Sequence, residues 1–452
     1  MDYNAHIRTH LDSWIEELSV LLRQRSISCL DDGVTECAQL LRATMERMGI
    51  RTILFDEDYH PPFVYGEILE DESLPTILIY GHYDVQPPGA LEEWRSDPFT
   101  PTIREGRIYC RGAGDNKGQF FIHLKAAEMV RELCGKLPVN LKFIFEGGEE
   151  IGSPDLGAFF ATHKELLRAD FAMNSDASMH ESGRPTMLLG VKGCYAPIFE
   201  IRTANRDVHS MHGATVPSAA WRMVGLLSTL KGEDGRVLID GFYDDVREPY
   251  PEELAAVKAI PDAEAQIQAD LGLTHFVKGR VTSNYNYNTV FEPTCNINSL
   301  RSGHLGEGNN NIVPGSARVR LDMRLVPNQT PQKMHELFKA HLHKHGYDDV
   351  IFLSDGGIGM PCRVPLDNPY VLAIRDALRE SFGEEPILYP GLGGTGPSYI
   401  FLENLGIPRI LVPFASSDQN DHGVNENLKI SDFENGIRAS AAILHKIGEM
   451  NR

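Results

Sequence analysis

The chain has 452 residues, 42% hydrophobic and 23% charged, the balance of a soluble globular protein with room for two or three domains. A formal net charge of −20 argues against nucleic acid or an anionic membrane as the main partner. No run approaches the ~18 apolar residues of a membrane helix, and Met1 to Trp14 lacks the apolar stretch of a signal peptide. The seven cysteines are scattered without a CxxC pair, so a cytoplasmic protein with reduced thiols is expected.

Ile7, Leu11, Trp14, Ile15, Leu18, Leu21 and Leu22 recur at helical spacing and predict an opening amphipathic helix. A second helix is expected from about Thr35 to Met48, stopped by Gly49. Thr76–Tyr80, Val139–Phe145 and Phe171–Met173 read as short buried strands, with a helix from Lys117 to Cys134 closed by Gly135. The texture changes near Lys192. Cys194 to Thr203 reads as one strand, and a helix is expected from Pro217 through Leu230. Ala317, Val319, Leu321, Met323 and Leu325 alternate strictly with Arg318, Arg320, Asp322 and Arg324, the pattern of a sheet with one face buried and one open. A helix from about Pro331 to His345 and a strand Val350–Leu353 complete an α+β unit. From about Pro365 the α/β texture returns, with a helix Pro369–Phe382 and a strand Arg409–Pro413.

Metal-binding side chains gather where these elements end. His82, Glu150 and Asp176 lie just past the carboxyl ends of predicted strands, where sites assemble in open α/β sheets. Asp115, in a glycine-flanked turn before a helix, suits a carboxylate that offers one oxygen to each of two cations, ~3.5–4 Å apart in such centres. His422 follows the last predicted strand. Mixed imidazole and carboxylate donors suit zinc, manganese or cobalt. Asp84, two residues after His82, is placed to hold the imidazole in one tautomer. Glu149 and Glu150 diverge as neighbours, so one can bind metal while the other faces a bridging water and handles its proton. A lone carboxylate or histidine in such a place is ordinarily a surface or capping residue. The ordered set is what points to a two-metal hydrolase.

Several motifs resemble the M20 metallopeptidases, in particular the carnosinase and cytosolic non-specific dipeptidase branch. They are Gly81-His82-Tyr83-Asp84-Val85-Gln86-Pro87, Trp94 with Asp97-Pro98-Phe99, Tyr109-Cys110-Arg111-Gly112-Ala113-Gly114-Asp115-Asn116-Lys117-Gly118, and Glu146-Gly147-Gly148-Glu149-Glu150-Ile151-Gly152-Ser153. The resemblance spans nearly the whole chain. It implies that His82, Asp115 and Asp176 hold one metal and Asp115, Glu150 and His422 the other, with Zn2+ the expected ion. Glu149 becomes the general base, and the Asp115–Asn116 peptide is expected to be cis. The implied fold class is α/β: a catalytic domain at 1–191 and 363–452, with a mixed sheet flanked by helices of zinc-exopeptidase type. An α+β lid or dimerisation domain is inserted at 192–362, and a homodimer through it is implied.

The resemblance also assigns residues in the insertion. His209, in Val208-His209-Ser210, becomes a lid histidine that enters the partner subunit's site and stabilises an oxyanion, although read alone it is a solvated turn histidine. His212 lies close enough to confuse the assignment. Arg324 reads either as a sheet-surface charge or as a bidentate clamp on a substrate carboxylate. Asn311 and Thr395 stand where relatives tend to carry threonine and serine, and both are expected to touch substrate. The loop Gly391–Gly396 satisfies GxGxxG, with Asp418 at a plausible distance, but Pro397 follows at once and the loop falls late in the chain. It is read as meeting substrate through its N–H groups and Thr395 rather than a dinucleotide.

The expected function is metal-dependent hydrolysis of dipeptides or similar small amides with a free carboxylate. The alternatives are an N-acyl or N-succinyl amino-acid amidohydrolase and, from other classes, a non-catalytic binding protein or a nucleotide-binding oxidoreductase.

Overall fold

The computed structural model describes residues 2–307 and 310–450, and the chain in it divides into two compact units. The first comprises Met1–Leu189, Val364–Tyr389 and Ile400–Arg452, and the second Gly190–Arg363 and Pro390–Tyr399. The loop Pro390–Tyr399, which sequence reading leaves with its flanking α/β segments, packs with the second unit. The reason is local: Leu392 N–H donates to the Gly190 carbonyl, and Lys192 N–H to that of Gly394.

Eight strands form the sheet of the first unit. In spatial order they are Arg51–Phe55, Phe63–Ile68, Asn140–Glu146, Thr76–His82, Phe171–Asn174, Arg409–Leu411, Thr186–Leu188 and Ile387–Tyr389. The four from Asn140–Glu146 to Arg409–Leu411 run parallel, while antiparallel pairings flank them on both sides. Every residue of Asn140–Glu146 is buried, as expected of a strand covered on both faces. The covering comes from helices Tyr3–Arg23, Val34–Arg47, Lys117–Cys134, Pro369–Phe382 and Ile430–Glu449, whose apolar stripes share one core.

Lys117–Cys134 has the predicted bounds because its stop is local: Gly135 takes φ 77°, and its N–H caps the Arg131 carbonyl. Ile430–Glu449 carries no assignment from sequence. It buries Phe433, Ile437, Ala441 and Leu444 against Lys117–Cys134 and Pro369–Phe382. The parallel strands all present their carboxyl ends to the same edge of the sheet, the edge at which His82, the Glu149–Glu150 turn and Asp176 leave it.

In the second unit the central strand is Ser316–Leu325, whose inward residues Ala317, Val319, Leu321, Met323 and Leu325 are all buried. Helices Ala219–Leu230 and Pro331–Lys344 cover that face, sharing a core through Met223, Leu226, Met334 and Phe338. The single strand expected over Cys194–Thr203 is instead two, Gly193–Tyr195 and Ile198–Arg202. Pro197 separates them because it has no N–H for the ladder, while its carbonyl still accepts from Leu321 N–H. Both pieces pair with the same long strand. The helix expected from Pro217 begins at Ala219, since the Ser218 side chain accepts from Trp221 N–H and acts as its cap. Thr294–Ser302, absent from the sequence reading, pairs along the other side of Ser316–Leu325.

Candidate metal centre

His82 is the last residue of its strand and is 1% exposed. Its Nε2 lies 3.0 Å from Asp115 Oδ1 and 3.9 Å from Asp176 Oδ2. On the other side of Asp115, His422 Nε2 sits 3.0 Å from Asp115 Oδ2 and 3.1 Å from Glu150 Oε2. Two sets of three donors therefore converge, each within 4.8 Å internally: His82, Asp115 and Asp176, and Asp115, Glu150 and His422. Asp115 belongs to both and faces them with different oxygens.

The supports of this cluster come from distant segments. Asp84 is fully buried, its Oδ1 3.4 Å from His82 Nδ1, and its carboxylate accepts the N–H groups of Glu149 (3.2 Å) and Glu150 (3.0 Å). One carboxylate thus orients both the imidazole and the acidic pair. Gln86 Nε2 donates to Glu150 Oε2 at 2.8 Å. Glu426, unassigned from sequence, accepts the N–H groups of Gly112, Gly114 and Asp115 and pairs with Arg111 Nη1 at 2.7 Å, so it builds the turn that presents Asp115. That turn is close-packed: a Cβ on Gly118 would lie 2.0 Å from the Ala113 carbonyl oxygen. Gln119, also unassigned, donates to the carbonyls of Gly114 and Ala177 and accepts from Phe414 and Ala415 N–H. It ties the Asp115 turn, the Asp176 turn and the segment leading to His422. The Asp115–Asn116 peptide is cis. His422 and Ala177, the residue after Asp176, both adopt left-handed backbone, at φ 57° and 61°. Such conformations cluster at sites held by their surroundings.

Burial pushes the Glu149 carboxyl up to about 8; His82 pulls it back, and Asp176 and Asp115 push it further. Asp176 is raised by burial and by Asp115. Burial also acts to raise Asp115, but hydrogen bonds from His422 and His82 outweigh it and hold that carboxyl low. His422 is pushed up to about 10 by its hydrogen bonds to Asp115 and Glu150, and His82 rises because Asp115 and Asp84 outweigh its desolvation. The protein's own charges thus leave a surplus of buried carboxylates, with two imidazoles acting as the local cations. Asp115 Oδ1 is buried and has no hydrogen-bond partner beyond its 3.0 Å approach to His82 Nε2. A convergent set of nitrogen and oxygen donors with unspent acceptor capacity fits a pair of divalent cations, which would supply the missing positive charge and draw Glu149 down.

Four other candidates lie in the second unit. His209 is exposed and pairs with Ile312 in the ribbon Val208–His209 and Ile312–Val313. Ser210 N–H donates to the Asn311 carbonyl at 2.9 Å, so His209 and Asn311 flank one ribbon. His209 Nδ1 accepts from Met211 N–H at 3.2 Å, which places the proton of the neutral ring on Nε2. His212 lies in the next turn, also exposed. Arg324 and Thr395 meet: Arg324 Nη1 donates to the Thr395 hydroxyl at 2.8 Å. Arg324 also makes a bidentate pair with Asp322, at 2.9 and 3.1 Å, a partner that alternation alone places on the same face but does not single out. Asp418, the residue a dinucleotide ribose would need, is engaged by Arg107 and Lys429.

The fold, together with the paired donor sets, is that of a metal-dependent peptidase. The chain belongs to peptidase family M20/M25/M40, whose profile matches residues 78–446. It is 34% identical to an M20 family metallo-carboxypeptidase from Sulfolobus solfataricus, with a TM-score of 0.88 over 97% of this chain and 99% of that one. Human carnosine dipeptidase 1 superposes with a TM-score of 0.81 at 25% identity, covering 99% of this chain and 98% of that one. The Cys-Gly metallodipeptidase of Schizosaccharomyces pombe is 27% identical over 97% of this chain and 96% of its own length. Among the described residues, no helix is long and apolar enough to cross a membrane.

Proposed function

We propose that this protein hydrolyses dipeptides, and comparably small amides with a free carboxylate, using two divalent cations held in the first unit. The observation that carries the reading is the junction at Asp115, which offers one oxygen to each donor set while Glu149 stands beside the second set's Glu150. His82, Asp115 and Asp176 would hold one ion and Asp115, Glu150 and His422 the other, with Zn2+ expected and Mn2+ or Co2+ suited to the same donors. When bound, the pair supplies Lewis-acid polarisation of the scissile carbonyl and lowers the pKa of water.

Glu149 takes the proton of the attacking water on its carboxylate and returns it to the leaving amine. Asp84 keeps the His82 ring oriented so that Nε2 remains a donor of its lone pair. His209 donates from Nε2–H to the developing oxyanion, a contact of the kind worth ~3 kcal/mol. Arg324, whose Nε and Nη2 are held by Asp322 and whose Nη1 carries Thr395, fixes the substrate carboxylate with its remaining Nη1 and Nη2 protons, and Asn311 hydrogen-bonds substrate beside His209.

The second unit is assigned as a lid that also dimerises and delivers His209 to the partner subunit. Supporting this, the outer edge of Thr294–Ser302 pairs with no strand among the described residues, and Ile297 and Leu300 are about half exposed on that strand. A cytoplasmic location fits seven cysteines that form no disulfide.

The carnosine and Cys-Gly dipeptidases support dipeptides as substrates. The Sulfolobus metallo-carboxypeptidase favours a second reading, release of the C-terminal residue from longer peptides. Metal-stripped protein restored with each ion is to be assayed on dipeptides, tripeptides, longer peptides and N-acyl amino acids. The highest kcat/KM is expected for dipeptides. A preference for longer peptides assigns the second reading, and turnover of N-acyl amino acids alone overturns both.

A further inference from the structure

We propose an additional cation site on the first unit, formed by His6, His10 and Glu132 and taking a transition-metal dication of the zinc class. His6 and His10 lie four residues apart on the helix Tyr3–Arg23, and therefore on one face. Glu132 projects from the last turn of Lys117–Cys134. The donor atoms of the three side chains all fall within 4.8 Å of one another. Glu132 lies fifteen residues beyond Lys117, roughly 22 Å along the helix axis from the end that adjoins Asp115, so the group is separate from the paired donors there.

Both imidazoles are held in place by their neighbours. His10 Nδ1 lies 2.9 Å from the His6 carbonyl oxygen, which can only accept, so Nδ1 carries a proton and the neutral tautomer has its lone pair on Nε2. Trp14, one turn further, stacks on His10 with centroids 5.6 Å apart and planes 22° apart, which limits the rotamers of that ring. The His6 and His10 rings are themselves stacked at 4.1 Å with planes 24° apart, so their in-plane lone pairs run nearly parallel and a shared ion requires one ring to turn toward it. His6 Nε2 is buried and lacks a well-aligned hydrogen bond, although Glu132 Oε2 is only 3.1 Å away. Two neutral imidazole nitrogens and a carboxylate oxygen make the three-ligand set of an open zinc site, with water completing the tetrahedron. The same set accepts nickel or copper. A bound ion would tie the N-terminal helix to Lys117–Cys134. The competing account is a simple His6–Glu132 ion pair with His10 packed on Trp14, which needs no metal.

The test compares the metal content of full-length wild-type, His10→Ala and Glu132→Gln proteins after equilibrium dialysis against micromolar Zn2+. Wild type is expected to carry one equivalent more than His10→Ala, and Glu132→Gln to weaken that step at least tenfold. Hydrolytic activity should be equal in all three. Because the readout is a difference between wild type and variants, it holds whether the Asp115 centre takes two ions, one or none. Glu132 is half exposed, so its substitution leaves the packing intact and serves if His10→Ala misfolds. Equal zinc content and equal affinity in wild type and the variants would overturn the proposal.

Discussion

Substituting glutamine for Glu426 replaces half of a buried carboxylate that four donors share. Oε1 accepts from Gly114 and Asp115 N–H, both at 2.9 Å, while Oε2 accepts from Gly112 N–H at 3.0 Å and Arg111 Nη1 at 2.7 Å. Glutamine keeps one carbonyl oxygen for one pair of donors and turns an NH2 group against the other pair. Hydrogen bonds to a charged group contribute ~1.5–3 kcal/mol each, so the lost pair amounts to ~3–6 kcal/mol. Arg111 retains its bond to the Pro87 carbonyl at 3.1 Å, which moves the expectation to the lower half of that range. An independent estimate agrees: a buried ion pair stripped of one partner loses ~3–5 kcal/mol. Urea denaturation of metal-stripped wild type and Glu426→Gln measures the difference directly. Since the same carboxylate positions Asp115, metal affinity measured by chelator competition should also fall ~10–100-fold. A stability loss below ~1 kcal/mol with unchanged metal affinity would refute the view that Glu426 builds the turn.

Other substitutions separate roles within the site. Glu149→Gln should retain bound metal while hydrolysis falls ~10²–10⁴-fold; full activity would remove Glu149 as the base. Arg324→Met should raise KM for free-carboxylate dipeptides ~10–150-fold, the equivalent of ~1.5–3 kcal/mol, while barely affecting C-terminally amidated ones; equal effects on both would deny the clamp. Buried His123 lies between the Ser440 and Ser175 hydroxyls, and burial depresses its pKa to about 3. The unfolded chain, with its histidine at ~6.5, then binds the proton more readily, so stability is retained above that pH and falls as pH drops toward 3. Between pH 7 and 5 this group should cost roughly 2 kcal/mol, measured as a steeper loss in wild type than in His123→Gln. Chelation should lower the thermal unfolding temperature and zinc restore it, because the ions offset the repulsion among Asp115, Asp176, Glu149 and Glu150; an unchanged temperature would mean that no cation balances those charges.

The elements legible in the sequence are those with local signals at both ends. Lys117–Cys134 had apolar spacing within and a left-handed glycine after it, and Ser316–Leu325 had strict alternation, so each was readable from a short window. Pro197 was visible too, yet its effect was not, because a strand broken at proline can continue on the same partner only if that partner is long enough to pair with both halves. Ile430–Glu449 has the stripe Phe433, Ile437, Ala441, Leu444, but nothing in its own residues marks the helices it packs against.

By itself the sequence supplied the candidate donors: two histidines, a set of acidic residues at strand ends and a second glutamate beside one of them, since these are identities and spacings. Motif resemblance then paired those donors. Only the tertiary structure decided that Asp115 Oδ1 faces His82 while Oδ2 faces His422, and that Arg324 meets both Asp322 and Thr395. It also brought Glu426 to the candidate site, through an ion pair with a residue 315 positions away. The reason is physical: a carboxylate's charge, burial and hydrogen bonds depend on whatever the fold brings within a few ångströms, and spacing along the chain does not carry that information.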